Sequence, residues 1–236
     1  MPQSGEPPLS RWRPYAVPAV LSLALLAPAA YGTVDPGAAV APRTEFVPPA
    51  PGTYHLQRIQ SIADAVLLDE SGRPQHLATL TSGKVTLLTF FYTVCADPIG
   101  CPFAYAVLQT LRAQLLAQPG IRGDVRFVSV SLDPTHDTPH ALAAYAGQLA
   151  HDRRLEWRFL TARSMPDLLP VLENFGQDVS IAIDVNGRPT RALHHMLKMF
   201  LFDRQGQVRE IYSLAFLQPQ VMINDIKTLL RERPPG

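Results

Sequence analysis

From residue 55 onward the chain alternates apolar, strand-like runs with stretches of helical spacing, and this alternation limits the folds open to it. "KVTLLTFFYTV" (84–94) and "VRFVSVSL" (125–132) are continuous apolar runs rich in β-branched and aromatic residues, as in strands buried on both faces. "FAYAVLQTLRAQLLAQPG" (103–120) lies between them and has helical spacing as far as Pro119-Gly120. The pattern predicts an α/β sheet whose faces are covered by helices.

Other segments continue the alternation. They predict a small hairpin turning at "DESGRP", a helix over "HALAAYAGQLA", a short strand at "EWRFLTA", a helix over "SMPDLLPVLENFG", a hairpin turning at "DRQG" and a final helix over "QPQVMINDIKTLLRER". Ser164 is expected to cap the helix over "SMPDLLPVLENFG" and Gly176 to end it. Ligands in such sheets bind beyond the carboxyl ends of the strands, which is where Cys95 stands.

The composition excludes some classes of protein. The 236 residues include 47% hydrophobic residues, enough for a sizeable core. The net charge of +1 argues against a nucleic-acid partner found by bulk electrostatics. Two cysteines are too few for a small fold held together by disulfides.

The first 54 residues differ from the rest. Arg11 and Arg13 precede an uncharged stretch over 14–34, so residues 1–34 predict a secretory signal or a membrane anchor. Residues 35–54 are rich in proline and lack periodicity, which predicts a linker, and residues 55–236 form the predicted domain. The basic flank would stay inside, so the domain is expected to be exported and to lie in the periplasm or at the outer face of the cytoplasmic membrane.

The only two cysteines, Cys95 and Cys101, lie at one turn between a predicted strand and a predicted helix. Spacing alone allows a structural disulfide, a redox pair or a soft metal site. Pro102 is well placed in a first helical turn, so Cys101 is a candidate cap residue. The helix dipole is expected to lower the pKa of nearby thiols and make both cysteines ready sources of thiolate.

Imidazole groups commonly complete sites built from two thiolates, which suit Cu(I) or Zn(II). Among the seven histidines, His194 and His195 are the best candidates, because they precede the predicted strand "MLKMFLF" in a loop that could approach the cysteines. Alternation places at least one of Met196 and Met199 in the core. The loop aspartates Asp133, Asp137 and Asp178 are most simply interpreted as turn and cap residues, and His136 and His140 as solvent-facing or locally hydrogen-bonded.

Several segments together resemble the Sco (SenC) family: "GKVTLLTFFYTVC", "CPFAYAVLQTL", "VRFVSVSLDPTHDTPHALAAYA", "WRFLTARSMPDLLPVLENFG" and "HHMLKMFLFDRQGQVREIY". The resemblance covers residues 55–231. It implies a thioredoxin-like fold with a central mixed sheet flanked by helices. It also implies a membrane-tethered protein that handles copper for cytochrome oxidase assembly.

The resemblance implies that Cys95, Cys101 and His195 bind the copper. The family's ligand histidine stands eight residues before the aspartate of an "LFD" motif, and counting back from Asp203 gives His195. Two features depart from the family pattern. Five residues separate the cysteines, where three are usual, and His194 stands where an acidic residue is common.

The sequence leaves three functions open. In the first, the chain is a copper metallochaperone for an apo copper protein such as a cytochrome oxidase subunit, with another copper chaperone or a thiol reductase as a further partner. In the second, Cys95 and Cys101 form the redox pair of a thiol–disulfide oxidoreductase. Leu197 occupies the slot where such thioredoxin-like reductases carry a cis-proline, which favours metal handling. In the third, the chain is an exported interaction domain with a bracing disulfide.

Overall fold

The structure is a computed structural model that describes residues 47–95, 97 and 99–232. The predicted signal or anchor, and the linker residues before 47, lie outside the described residues. Within the part that is described, no helix is long and apolar enough to cross a membrane.

The described residues form strands and helices in alternation. The strands are β1 (Gln60–Ser61), β2 (Val66–Asp69), β3 (Pro74–His76), β4 (Val85–Phe91), β5 (Val125–Ser131), β6 (Glu156–Thr161), β7 (Val179–Ile183), β8 (Pro189–His195), β9 (Lys198–Phe202) and β10 (Gln207–Ser213). The helices are α1 (Leu77–Thr81), α2 (Cys101–Leu116), α3 (Pro119–Arg122), α4 (Pro139–Ala146), α5 (Met165–Asn174) and α6 (Pro219–Arg231). Short 3-10 turns lie at Gly147–His151 and Leu214–Phe216.

Eight of these strands form one mixed sheet in the order β1-β10-β9-β4-β5-β6-β2-β3. β4, β5 and β6 run parallel, and the other neighbouring strands run antiparallel. β7 and β8 form a separate two-stranded hairpin. The expectation of a central mixed sheet is therefore confirmed.

Helices cover both faces of this sheet, because its central strands carry apolar side chains in both directions. In β4, Leu87 and Phe91 face the cluster formed with α2, α4 and α6, whereas Leu88 and Phe90 face the cluster formed with α1 and α5. All seven residues of β4 are buried, as the continuous apolar run predicts.

Most predicted elements are present, with differences at their ends. Ser164 caps α5 by accepting a hydrogen bond from the Asp167 backbone, as expected. Gly176 has a φ of +55°, which favours glycine just after a helix. The small hairpin turning at "DESGRP" is present as β2 and β3, but residues 77–81 continue it as a short helix. The β7–β8 hairpin was not expected from the sequence.

The residues from Pro49 to Leu56 pack against the C-terminal part of the chain. The Asn224 side chain donates to the Pro49 carbonyl at 2.9 Å, and the Gly52 backbone donates to Thr228 at 2.9 Å. The Arg209 guanidinium donates to the Leu56 carbonyl at 3.1 Å. The last residues of the predicted linker are therefore held to α6 and β10.

The strand order brings two distant segments to one edge of the sheet. β9 runs antiparallel to β4, with Thr89 opposite Met199. An antiparallel strand enters the sheet where its neighbour leaves it. The residues just before β9, which include His195, therefore lie beside the cysteine turn that follows β4.

Candidate functional site

A buried aspartate holds the start of the cysteine turn. Asp137 is 0% exposed and lies in the loop after β5. Its carboxylate accepts hydrogen bonds from the Thr93 backbone at 3.0 Å, the Thr93 hydroxyl at 2.5 Å and the Ser131 hydroxyl at 2.6 Å. Because β4 and β5 are parallel neighbours, their carboxyl ends lie side by side and the loop can reach the turn. Asp137 therefore has a structural role, as the sequence suggests, and that role is to anchor the turn.

Cys101 is the first residue of α2, and Gly100 is the N-cap residue, so the predicted cap role of Cys101 is wrong. Only 5% of Cys101 is exposed, and this burial raises the pKa of its thiol. Contact with the Cys95 thiol raises that pKa further. The expectation that the helix dipole makes both thiols ready sources of thiolate is wrong for Cys101, because burial outweighs the dipole.

Cys95 is half-buried and lies at the mouth of the turn, and both cysteines are free thiols. The turn closes through Asp97, whose carbonyl accepts from the Gly100 backbone at 2.9 Å and whose carboxylate accepts from the Ile99 backbone at 3.1 Å. A Cβ on Gly100 would lie 3.3 Å from the Asp97 carbonyl oxygen, so glycine permits this close approach. The result is an outer and an inner thiol in contact with each other.

His195 is the last residue of strand β8. The sequence-based expectation that it lies in a loop is therefore wrong. Its Nδ1 atom is buried and has no hydrogen-bond partner. Burial lowers the pKa of His195, which favours the neutral imidazole, and a hydrogen bond with the Met196 backbone and the charge of Asp97 partly oppose this effect. The Nδ1 atom of a neutral ring can donate its lone pair to a metal or accept a hydrogen bond.

Cys95 and His195 line the same open cleft, which has a volume of about 640 Å³. Asp97, Asp178 and His194 also line it. Cys101 lines a different space, a small internal cavity of about 10 Å³ among aromatic side chains of α2, α4 and β6. The structure thus brings Cys95 into contact with Cys101 and into one cleft with His195. Among the described residues, no three His, Cys, Asp or Glu side chains are grouped closely enough to hold a metal.

The other candidate site residues differ in how much of each is exposed to solvent. His194 is exposed, and so is Met196 at 63%, whereas Met199 is fully buried in the core. The expectation that at least one of these two methionines lies in the core is therefore confirmed. His136 is half-exposed and pairs with Asp133 within its own turn, with Nδ1 2.8 Å from the carboxylate. The interpretation of Asp133 as a turn residue is therefore confirmed.

Tyr92 is a site residue that the sequence did not reveal. Its hydroxyl oxygen accepts a hydrogen bond from the Leu193 backbone at 3.3 Å and also contacts the Cys95 thiol. Its ring lies edge-on to that of His195, with centroids 6.2 Å apart. Burial raises the pKa of Tyr92 to about 12, which keeps the phenol protonated. The sequence offers one signal for Tyr92, a tyrosine hydroxyl directly after a strand that is mostly apolar.

The comparison with protein families agrees with this architecture. The SCO1/SenC family model matches residues 58–231, which include every element from β1 to α6. A candidate copper-binding protein of Stutzerimonas stutzeri is 32% identical over 90 residues, which are 38% of this chain. The match spans 42% of that protein's length.

Solved structures show the same fold. A SCO1/SenC family lipoprotein from Bacillus anthracis str. Ames superimposes with a TM-score of 0.59 at 27% identity, covering 72% of this chain and 95% of that one. ScoI of Arabidopsis thaliana with copper bound superimposes with a TM-score of 0.60 at 19% identity, covering 73% and 99%. At the second identity the likeness concerns the fold alone.

These matches confirm two expectations from the sequence. The mixed sheet with helices on both faces is the thioredoxin-like α/β fold of the solved relatives. The family model covers well over half of the 236 residues, including both cysteines and His195. The chain belongs to the SCO1/SenC family.

Proposed function

We propose that this protein binds copper, as Cu(I) or Cu(II), through Cys95, Cys101 and His195 and transfers it to an apo copper protein. The observation that carries the proposal is that the free Cys95 thiol, in contact with the free Cys101 thiol, lines the same cleft as His195, whose buried Nδ1 atom has no hydrogen-bond partner. Two thiolates and one imidazole are soft and borderline donors, a set that favours copper over hard cations. Copper here is cargo.

Two features of the site bear on how copper would enter. Cys95 faces the cleft and is the natural first ligand, with His195 across the cleft. Cys101 lies in the internal cavity and must turn outward and lose its proton before it can bind. Copper binding therefore requires a local movement of the turn and releases protons. An open cleft also leaves room for a partner's ligands during transfer.

The Stutzerimonas protein is described as a candidate copper-binding protein, which supports copper as the metal. The fold itself is compatible with copper, since the Arabidopsis protein that shares it contains bound copper. We infer that the recipient is an apo cytochrome oxidase subunit or a similar copper protein, and that another copper chaperone or a thiol reductase acts upstream.

Anaerobic titration of the reduced full chain with Cu(I) tests the three-ligand site. We expect one copper per chain in the wild type and a large loss of affinity in Cys95→Ser, Cys101→Ser and His195→Ala. His194→Ala is the matched control, because it removes the neighbouring exposed imidazole. Wild-type affinity in His195→Ala would refute the histidine ligand, and loss of binding in His194→Ala would move that role to His194.

A second function is favoured by the unequal exposure of the two thiols. A solvent-accessible thiol next to a buried thiol is the arrangement expected of a thiol–disulfide reductase. The Cys95 thiolate would attack a partner's disulfide and form a mixed disulfide, which Cys101 would then resolve. The partner would gain two electrons and two protons, and this chain would keep a Cys95–Cys101 disulfide.

The reduction potential of the pair discriminates this function from a structural disulfide. Redox-active pairs have potentials of about −120 to −270 mV, whereas structural disulfides lie below about −300 mV. Equilibration of the chain with glutathione or thioredoxin buffers gives the value. A potential below this active range would exclude a reductase role and indicate a structural disulfide.

We also propose that the domain is exported and tethered to the membrane. The apolar run within residues 1–34 supports this, and a relative in the same family is a lipoprotein. Residues 35–54 would link the anchor to the domain at 55–236. Fractionation of cells that express the full chain tests the proposal, since a soluble cytoplasmic protein would refute it.

A further inference from the structure

The hairpin that carries His195 stands apart from the main sheet. Within the described part of the chain, β7 and β8 pair only with each other. Their tip is exposed, with Ile183 at 68% and Val185 at 101%. Near its base the hairpin is held by Leu193, which packs on both core clusters, and by Gln177, which donates to the Met196 carbonyl at 3.0 Å.

Tyr92 joins this hairpin to the cysteine side of the cleft. It follows β4, is 4% exposed and therefore has little freedom to move. Its hydroxyl oxygen accepts from the Leu193 backbone at 3.3 Å, across 101 residues of sequence. The same hydroxyl contacts Cys95, and its ring lies against His195. One side chain thus contacts the outer thiol, the ring of the predicted ligand and the strand that carries it.

We propose that Tyr92 is a positioning residue whose hydroxyl sets where β8 presents His195 relative to Cys95. His195 lies two residues after Leu193. Fixing the Leu193 backbone therefore limits the positions that the His195 side chain can occupy. Without the hydroxyl, the Leu193 amide loses this partner, and only the Leu193 packing and the Gln177 hydrogen bond still hold the base of the hairpin. The inference rests on the proposed copper site for its effect on metal binding, whereas the position of the hairpin is measurable without metal.

Tyr92→Phe is the informative variant, because it removes the hydroxyl and retains the ring that packs on His195. Tyr54→Phe is the matched control, since it likewise removes one hydroxyl hydrogen bond, which Tyr54 donates to Asp225 of α6 away from the cleft. Both variants are compared with the wild-type full chain, first without copper and then with it.

In the copper-free protein, we expect the Leu193 amide of Tyr92→Phe to exchange its hydrogen about two- to tenfold faster than in the wild type, as for the loss of one hydrogen bond. The His195 ring resonances should also shift. Tyr54→Phe should match the wild type in both measurements. An unchanged Leu193 exchange rate in Tyr92→Phe would overturn the proposal.

With copper, Tyr92→Phe should bind one Cu(I) about two- to tenfold more weakly in competition with a chromogenic chelator. The nitrogen hyperfine lines of the Cu(II) form should weaken in its EPR spectrum, because His195 is bound in fewer molecules. Wild-type affinity and spectrum would overturn the proposal. If the wild type itself binds no copper, the proposed function fails, and the Leu193 exchange rate still decides the role of Tyr92.

Should Tyr92→Phe not fold, the wild type alone provides a test. The Leu193 amide should then be protected from exchange relative to the neighbouring exposed Ala192, whose amide donates a local hydrogen bond to the Thr190 hydroxyl. Exchange of Leu193 as fast as that of Ala192 would overturn the proposal.

Discussion

At the scale of single residues, the two cysteines are chemically different although they lie at the same turn. Cys95 is half-buried and lines the open cleft, whereas Cys101 is buried at the start of α2. Burial raises the pKa of Cys101, so its thiol stays protonated to higher pH than a free cysteine. We therefore expect Cys95 to bind copper, or to react with a partner's disulfide, before Cys101 does.

This difference predicts selective alkylation. We expect iodoacetamide to modify Cys95 at least about tenfold faster than Cys101 at pH 8 in the reduced chain, because the thiolate is the reactive form and access limits its attack. Mass spectrometry of peptides after short labelling times measures both rates. Cys101→Ser should keep the fast reaction and Cys95→Ser should lose it. Equal rates at the two sites would contradict the buried position of Cys101.

At the scale of secondary-structure elements, Arg209 of β10 joins three parts of the chain. Its guanidinium is 2.9 Å from the Asp203 carboxylate, 2.8 Å from that of Glu232 and 3.1 Å from the Leu56 carbonyl. Arg209 and Asp203 are both buried. The contact fastens the residues before β1 and those after α6 to the same strand.

Arg209→Met should destabilise the protein by about 3 kcal/mol, because it leaves Asp203 as a buried carboxylate without its partner. Urea unfolding followed by circular dichroism gives the free energy. Arg204→Met is the control, since Arg204 is more exposed and lies 3.7 Å from Asp124, and such surface pairs contribute about 0–1 kcal/mol. Equal losses in the two variants would show that the buried pair adds nothing beyond a surface pair.

At the scale of the whole molecule, a buried carboxylate ties the N-terminal residues of the domain to its last helix and last strand. Asp225 of α6 accepts hydrogen bonds from the hydroxyls of Tyr54 and Tyr212, the latter at 2.7 Å. Burial raises the pKa of Asp225 above its usual 3.8, and the two tyrosine hydroxyls offset only part of that effect. The nearby Glu210 also has a raised pKa, caused mainly by its burial.

A raised carboxyl pKa in the folded state predicts a loss of stability as pH rises. The folded protein binds the Asp225 proton more tightly than the unfolded chain, so this group's contribution is complete below pH 3.8 and declines as the pH passes its folded-state pKa. Asp225→Asn keeps the shape and removes the titration. Its free energy of unfolding should therefore rise relative to the wild type between pH 4 and pH 7.

Urea unfolding at several pH values measures this difference. Glu173→Gln, an exposed carboxylate on α5, is the control and should run parallel to the wild type. Parallel curves for Asp225→Asn would contradict the prediction.

Local patterns, together with the family resemblance, were enough to predict much of the fold and to name the candidate site residues. The apolar runs around β4 and β5 predict buried strands because burial on both faces removes alternation. Position after a strand singles out Cys95, and spacing from Asp203 singles out His195. Other features depend on long-range contacts: Asp137 reaches Thr93 across 44 residues, and Tyr92 reaches Leu193 across 101. No local pattern encodes such pairs.

The sequence by itself determined the α/β order and the resemblance to the family, because both follow from residue types at short spacings, and that resemblance implies the three candidate ligands. Only the tertiary structure decided that Cys101 is buried, that His195 ends a strand of a separate hairpin, and that Tyr92 contacts both sides of the cleft. Burial and contact arise from how β4, β9 and α2 pack, and packing sums over residues far apart in the chain. The same packing outweighs the effect of the helix dipole on the pKa of Cys101.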